Sequence, residues 1–257
     1  MTPATAFQRR LQQQQQAEQY RKRLEEQNSE SIDAAARDYH AFQRLQDCLN
    51  RDLRRLAGIP SGAPRNAVKN NELLPVYLPV VRKYIASGEQ YKNVVLVTVM
   101  IWLFDCGRIA EALDIARVAI AQQQPMPDNY KRNLPTFVAD TIFEWADAES
   151  SRGNPVAPWF YEIFQQLAEE NWPVPDITRM KFHKLSGTLA RHAGHLQLAL
   201  DHYLAAQELN PKRALVKTAI RDLKKQLEQQ SEKTEKTEKT EKTEKTENAE
   251  QTGPDGS

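Results

Sequence analysis

Three carboxylates are spaced for chemistry. Asp140, Glu144 and Asp147 stand at i, i+4 and i+7 in FVADTIFEWADAESS, which puts them on one face of a helix. Metal-assisted cleavage of a phosphodiester needs two or three carboxylates converging on Mg²⁺, because hard oxygen ligands hold the ion that activates water and takes up charge on the leaving oxygen. The same spacing describes an ordinary exposed helix face. Phe143 and Trp145 account for the helix as structure, and no Lys or His stands close by in sequence to complete a nuclease motif. The histidines offer nothing better. His192 and His195 straddle Gly194 at a helix turn with no Cys or acidic partner at ligand spacing, and His183 and His202 read as packing or solvent-facing residues. No metal ligand set is assigned, and Mg²⁺ is implied only if the chain is a nuclease.

A second chemistry is electrostatic. Arg37, Arg44 and Arg51 recur every seven residues and share a helix face, and Arg54 and Arg55 extend the charge at its end. Guanidinium groups about two turns apart can track a phosphate backbone, each contact releasing counterions. Arg65 and Lys69 are placed to join them, whereas Asp38, Asp47 and Asp52 dilute the field, as on a solvated helix exterior. Arg213, Lys217, Arg221, Lys224 and Lys225 form a second basic run. Trp159, Phe160, Tyr161 and Phe164 make an aromatic stretch that reads as core or as a docking surface, while Met100 and Trp102 read as core.

The elements that must hold these residues are helical. Apolar residues recur at three- and four-residue spacing between the prolines, glycine is scarce at 9 in 257 residues, and strand-like alternation is nearly absent, so the fold class is all-α. Residues 1–31 form a Gln- and charge-rich arm. Over 32–57 the spacing becomes heptadic, with Ile32, Tyr39, Gln46 and Leu53 at one seam position and Ala35, Phe42, Leu49 and Leu56 at the other, the pattern of a self-pairing coiled-coil helix. Turn residues make 58–71 a linker. Residues 72–229 form a helical-hairpin domain, and 230–257 a disordered tail of EKT triplets that bury nothing.

Within that domain LFDCGRIAEALDIARVAI and LARHAGHLQLALDHYLAA share one plan: Gly107 matches Gly194, and Ala112-Leu113-Asp114 matches Ala199-Leu200-Asp201. Small residues, a turn glycine and a following proline give each hairpin a tetratricopeptide look. A solenoid needs about three stacked repeats, and only two occur, so the pairs are expected to pack into one compact domain rather than an open array.

The net charge of +1 hides basic ends around an acidic centre. Residues 1–72 carry 12 basic and 9 acidic residues, 73–172 carry 8 and 12, and 173–230 carry 10 and 5. No apolar run reaches the roughly 20 residues of a membrane span, and the polar N-terminus lacks a signal-peptide core, so the cytoplasm is the expected location. Two cysteines, Cys48 and Cys106, far apart in the chain, make neither a disulfide framework nor a metal quartet.

NELLPVYLPVV, then VLVTVMIWLFDCGRIAEALDIARVAI followed by MP, then KFHKLSGTLARHAGHLQLALDHYLAAQEL, resemble in order and content the small terminase subunit of temperate cos-packaging phages of the peduovirus kind, the M protein family. The resemblance covers roughly residues 30–225. It implies a DNA-packaging protein in the cytoplasm of a bacterial host. Such a protein recognises concatemeric double-stranded phage DNA at cos sites and directs its cleavage with a large ATPase subunit. The family is commonly described as the endonuclease subunit, and its members are expected to self-associate. Relatives often end in a Lys/Arg-rich tail, whereas here the tail holds more acid than base, so DNA affinity is not assigned to it. Two other readings stand beside this one: a Mg²⁺-dependent endonuclease in its own right, and a tetratricopeptide-like adaptor without DNA affinity.

Overall fold

The computed structural model describes residues 22, 40–169 and 172–230. Arg37, Asp38, the seam residues Ile32, Ala35 and Tyr39, and the EKT triplets lie outside the described residues. Among the described residues every regular element is helical, as the spacing requires. The chain divides into two units, Met1–Glu89 and Gln90–Ser257.

In the first unit helix α1 covers residues 40–57 and stops at Gly58, whose N–H bonds the Arg55 carbonyl at 3.2 Å. The segment 58–71, read from its turn residues as a linker, contains helix α2, Ala63–Val68, which starts from Gly62 at φ 88° and carries Pro64 in its first turn. A wide π turn, Lys69–Leu73, joins α2 to helix α3, Leu74–Ser87, closed by Gly88 at φ 71°. Pro75, in the first turn of α3, has no N–H to offer the carbonyl four residues back, and the widened turn directly before it accommodates that; Pro79 lies inside the helix. α3 lies alongside α1. The Tyr77 hydroxyl donates to Asp52 Oδ2 at 2.6 Å, Arg55 pairs with Glu72 at 2.5 Å, and Leu49, Leu56, Leu74, Tyr77 and Val81 are buried. The division after Glu89 leaves α3 in the N-terminal unit, where it makes these contacts.

The second unit is a succession of packed helices. α4, Val94–Asp105, is buried from Val95 to Phe104 because it is apolar all round. It is capped by Asn93, whose side chain accepts from the Leu96 N–H at 3.1 Å. α5, Ile109–Ala121, folds back on it; α6, Leu134–Ser151, packs on α5; α7, Trp159–Glu169, and α8, Asp176–His192, pack on α6; and α9, Leu196–Leu209, folds back on α8. A last helix, α10, covers residues 217–230.

The two matched glycines do matched work. Gly107, at φ 72°, and Gly194, at φ 80°, each sit where the chain must turn left-handed after a helix. Around the first, Gly107 N–H bonds the Phe104 carbonyl and Arg108 N–H the Leu103 carbonyl; around the second, Gly194 bonds Arg191 and His195 bonds Ala190. The spacings are identical, and they satisfy the last carbonyls of α4 and α8 before the return helix begins. In the second hairpin the helices approach very closely. A methyl group on Gly187 would lie 2.8 Å from the Tyr203 ring and 3.2 Å from the Ala199 carbonyl, so only glycine fits that contact.

Candidate nucleic-acid interface

α1 divides its surface by spacing. Leu49, Asp52 and Leu56 turn toward α3, while Arg44, Arg51 and Arg55 fall on a stripe about 110° away at 100° per residue. Arg44 and Arg54 are exposed, and Arg54 Nε donates to its own helix at the Asn50 carbonyl, 3.2 Å away. Arg51 donates from Nη2 to Cys48 Sγ at 3.0 Å, a contact that raises its already high pKa. Among the described residues Arg55 is the one arginine of the stripe held by a carboxylate: Glu72 bonds it at 2.5 Å and raises its pKa in turn. Both partners are half exposed, so the pair is open to exchange for another anion.

Two linker cations do not join this stripe. Arg65 turns inward, with Nε and Nη2 donating to the Ile59 carbonyl at 3.1 and 2.5 Å, and Lys69 is buried. Asp52, an apparent diluent of the field, instead accepts the Tyr77 hydroxyl. Burial, helped by that hydrogen bond, pushes the phenol well above its ordinary value. Asp47 is left as the exposed acid among the described residues of α1.

The seam positions of the heptad segregate as well. Leu49 and Leu56 are consumed by the chain's own core, Phe42 and Gln46 are half-buried, and Leu53 is 39% exposed.

The carboxylates of α6 stand in different surroundings. Asp140 is buried, 5% exposed, and is already neutralised by Arg132 Nη1 at 2.8 Å and Lys181 Nζ at 3.3 Å, with Thr178 Oγ1 donating at 3.3 Å. Lys181 also lies over the Phe143 ring, 5.3 Å from its centroid. Glu144 and Asp147 are exposed. Among the described residues no group of three or more His, Cys, Asp or Glu is arranged to hold a metal ion, and a carboxylate matched by two cations has little charge to give Mg²⁺. The two cations lie 8 residues before Asp140 and 41 after it, beyond the reach of motif reading.

The remaining candidates sort by burial. Phe160 is fully buried and stacks on Phe182, with centroids 5.0 Å apart, while Trp159 meets Trp145 edge-on and Tyr161 is exposed. Met100 and Trp102 are buried in α4. His192 and His195 are exposed on either side of the turn. His183 and His202 face each other across α8 and α9, Nδ1 to Nδ1 at 3.2 Å, with the edge of Phe164 against His183. Burial lowers both pKa values; the His202 ring and Arg179 add to the lowering at His183, while Asp201 partly opposes it at His202.

The family model of the phage small terminase subunit matches residues 46–177. The chain is 34% identical over 164 residues to the probable terminase, endonuclease subunit, of Haemophilus phage HP1, covering 63% of this chain and 58% of that protein. It is 32% identical over 196 residues to the terminase, endonuclease subunit, of Escherichia phage P2, covering 76% of this chain and 78% of that protein. No solved structure matches.

Proposed function

The chain belongs to the phage small terminase subunit family, and from that premise we propose that it binds concatemeric duplex DNA and directs its cleavage at cos sites beside a large ATPase subunit. It acts as a homo-oligomer in the cytoplasm of the bacterial host. No helix among the described residues is long and apolar enough to cross a membrane.

The observation that carries this reading is the family match, whose residues 46–177 include Arg51, Arg54 and Arg55 on the exposed side of α1. In the proposed mode Arg44, Arg51 and Arg54 contact phosphates, and Arg55 exchanges Glu72 for a fourth. Each contact adds about 0.9 to the slope of log affinity against log salt. The test is a mobility shift on cos-containing duplex. The variant Arg44→Ala/Arg51→Ala/Arg54→Ala/Arg55→Ala is expected to lose binding with a slope shallower by about 3 to 4; unchanged affinity would remove α1 from the site.

A second reading, that the chain cuts DNA itself, is favoured by the names of the HP1 and P2 relatives, each an endonuclease subunit. It requires nicking of cognate duplex by the purified chain in Mg²⁺. Because Glu144 and Asp147 are exposed, Glu144→Gln/Asp147→Asn leaves the fold undisturbed, and nicking that survives this variant takes both residues out of the chemistry.

A further inference from the structure

A basic helix in the second unit is left unused by the reading above. α10 is amphipathic with an unusual division. Val216 at its lip, Ile220 and Leu223 are buried in one cluster with Met180 and Ala190 of α8 and Ala199, Leu200, Tyr203 and Ala206 of α9. At 100° per residue Lys217, Arg221, Lys224 and Lys225 occupy an arc of about 100° on the neighbouring flank, and all four are exposed. Lys212 and Arg213 are exposed in the turn that leads into the helix. Residues 211–230 thus hold six cations and two acids, Asp222 and Glu228. Of the four cations on the flank, Arg221 alone has an ion pair among the described residues, at 3.4 Å to its neighbour Asp222.

We propose that this flank of α10 is a second contact for the phosphate backbone of duplex DNA, independent of base sequence and separate from α1. The inference rests on the terminase reading but concerns other residues in the other unit. Three features select the ligand. Lys217 to Lys225 rises about 12 Å, the length of three to four nucleotide steps at roughly 3.4 Å per strand. The flank carries no aromatic ring on which an unpaired base would stack, as single-strand grooves require. The apolar edge of the helix is already spent on α8 and α9, and Leu215, exposed just before the helix, is too little apolar surface to anchor it on a lipid surface. That same edge holds the cations on a fixed element, so they meet a polyanion without first ordering the chain.

The experiment uses the full chain and a duplex of scrambled sequence, with affinity measured from 50 to 200 mM salt. Lys217→Gln/Arg221→Gln/Lys224→Gln/Lys225→Gln is expected to lower the salt slope by about 3 to 4 and to weaken cos-containing and scrambled duplexes by the same factor. Circular dichroism checks that the helix persists. An unchanged slope overturns the proposal. So does a loss confined to the cos duplex, or an equal loss on oligo-dT, which would mark the flank as a general single-strand groove. The α1 variant is run beside it. A wild-type chain that binds no duplex sinks the terminase reading as well, whereas normal wild-type binding with an unaffected α10 variant sinks this inference alone.

Discussion

At the scale of single residues, the most consequential group outside the interface is the histidine pair of α8 and α9. His183 and His202 meet through Nδ1 atoms 3.2 Å apart, so one ring donates and the other accepts, which only neutral or singly charged rings can do. Both pKa values are lowered from the ordinary 6.5, first by burial. The unfolded chain therefore binds protons more readily than the folded one. The pair's stabilisation is fully present above about pH 6.5 and is lost as pH falls below that value through the folded pKa values. The melting temperature is expected to drop between pH 7.5 and pH 5.5, and His183→Gln/His202→Gln should flatten that drop; an equal drop in the double variant would assign it elsewhere. Asp140 carries a different lesson. Its carboxylate was legible as a charged helix residue, but its role follows from Arg132 and Lys181, which approach from distant sequence positions. Spacing along one helix does not carry that information.

At the scale of elements, the helices and both hairpin turns were legible because their causes are local. Gly107 and Gly194 need the left-handed region, and the apolar run of α4 fixes its central place. The fate of the heptad was not legible. A seven-residue repeat states which side of α1 is apolar, not whether that side meets another chain or its own, and here Leu49 and Leu56 meet the chain's own core. Leu53 is the exposed seam residue left over among the described residues, and on α3 Val76 and Val80 are exposed as well. Assembly through the residual seam predicts that Leu53→Glu lowers the mass seen by light scattering to that of a single chain while leaving the helical signal intact. An unchanged mass would take self-association away from α1.

At the scale of the molecule, the division after Glu89 has a spectroscopic handle. The four tryptophans, Trp102, Trp145, Trp159 and Trp172, all belong to the second unit, so their fluorescence is blind to the first. Leu49→Ala empties a fully buried site in the first unit and is expected to cost about 2–5 kcal/mol there. Urea curves followed by circular dichroism should then gain an early phase that tryptophan emission does not report; coincident shifts in both signals would mean that the units unfold as one. The composition of the chain showed helices but not this division, since it depends on Asp52 reaching Tyr77 and Arg55 reaching Glu72. The contact at Gly187 has a mechanical consequence. With Tyr203 filling the space where a methyl would sit, α8 and α9 have no clearance in which to slide, and α10 shares their core. Were α10 to hold a duplex as proposed above, a pull on it would pass through that shared core to α8 and α9.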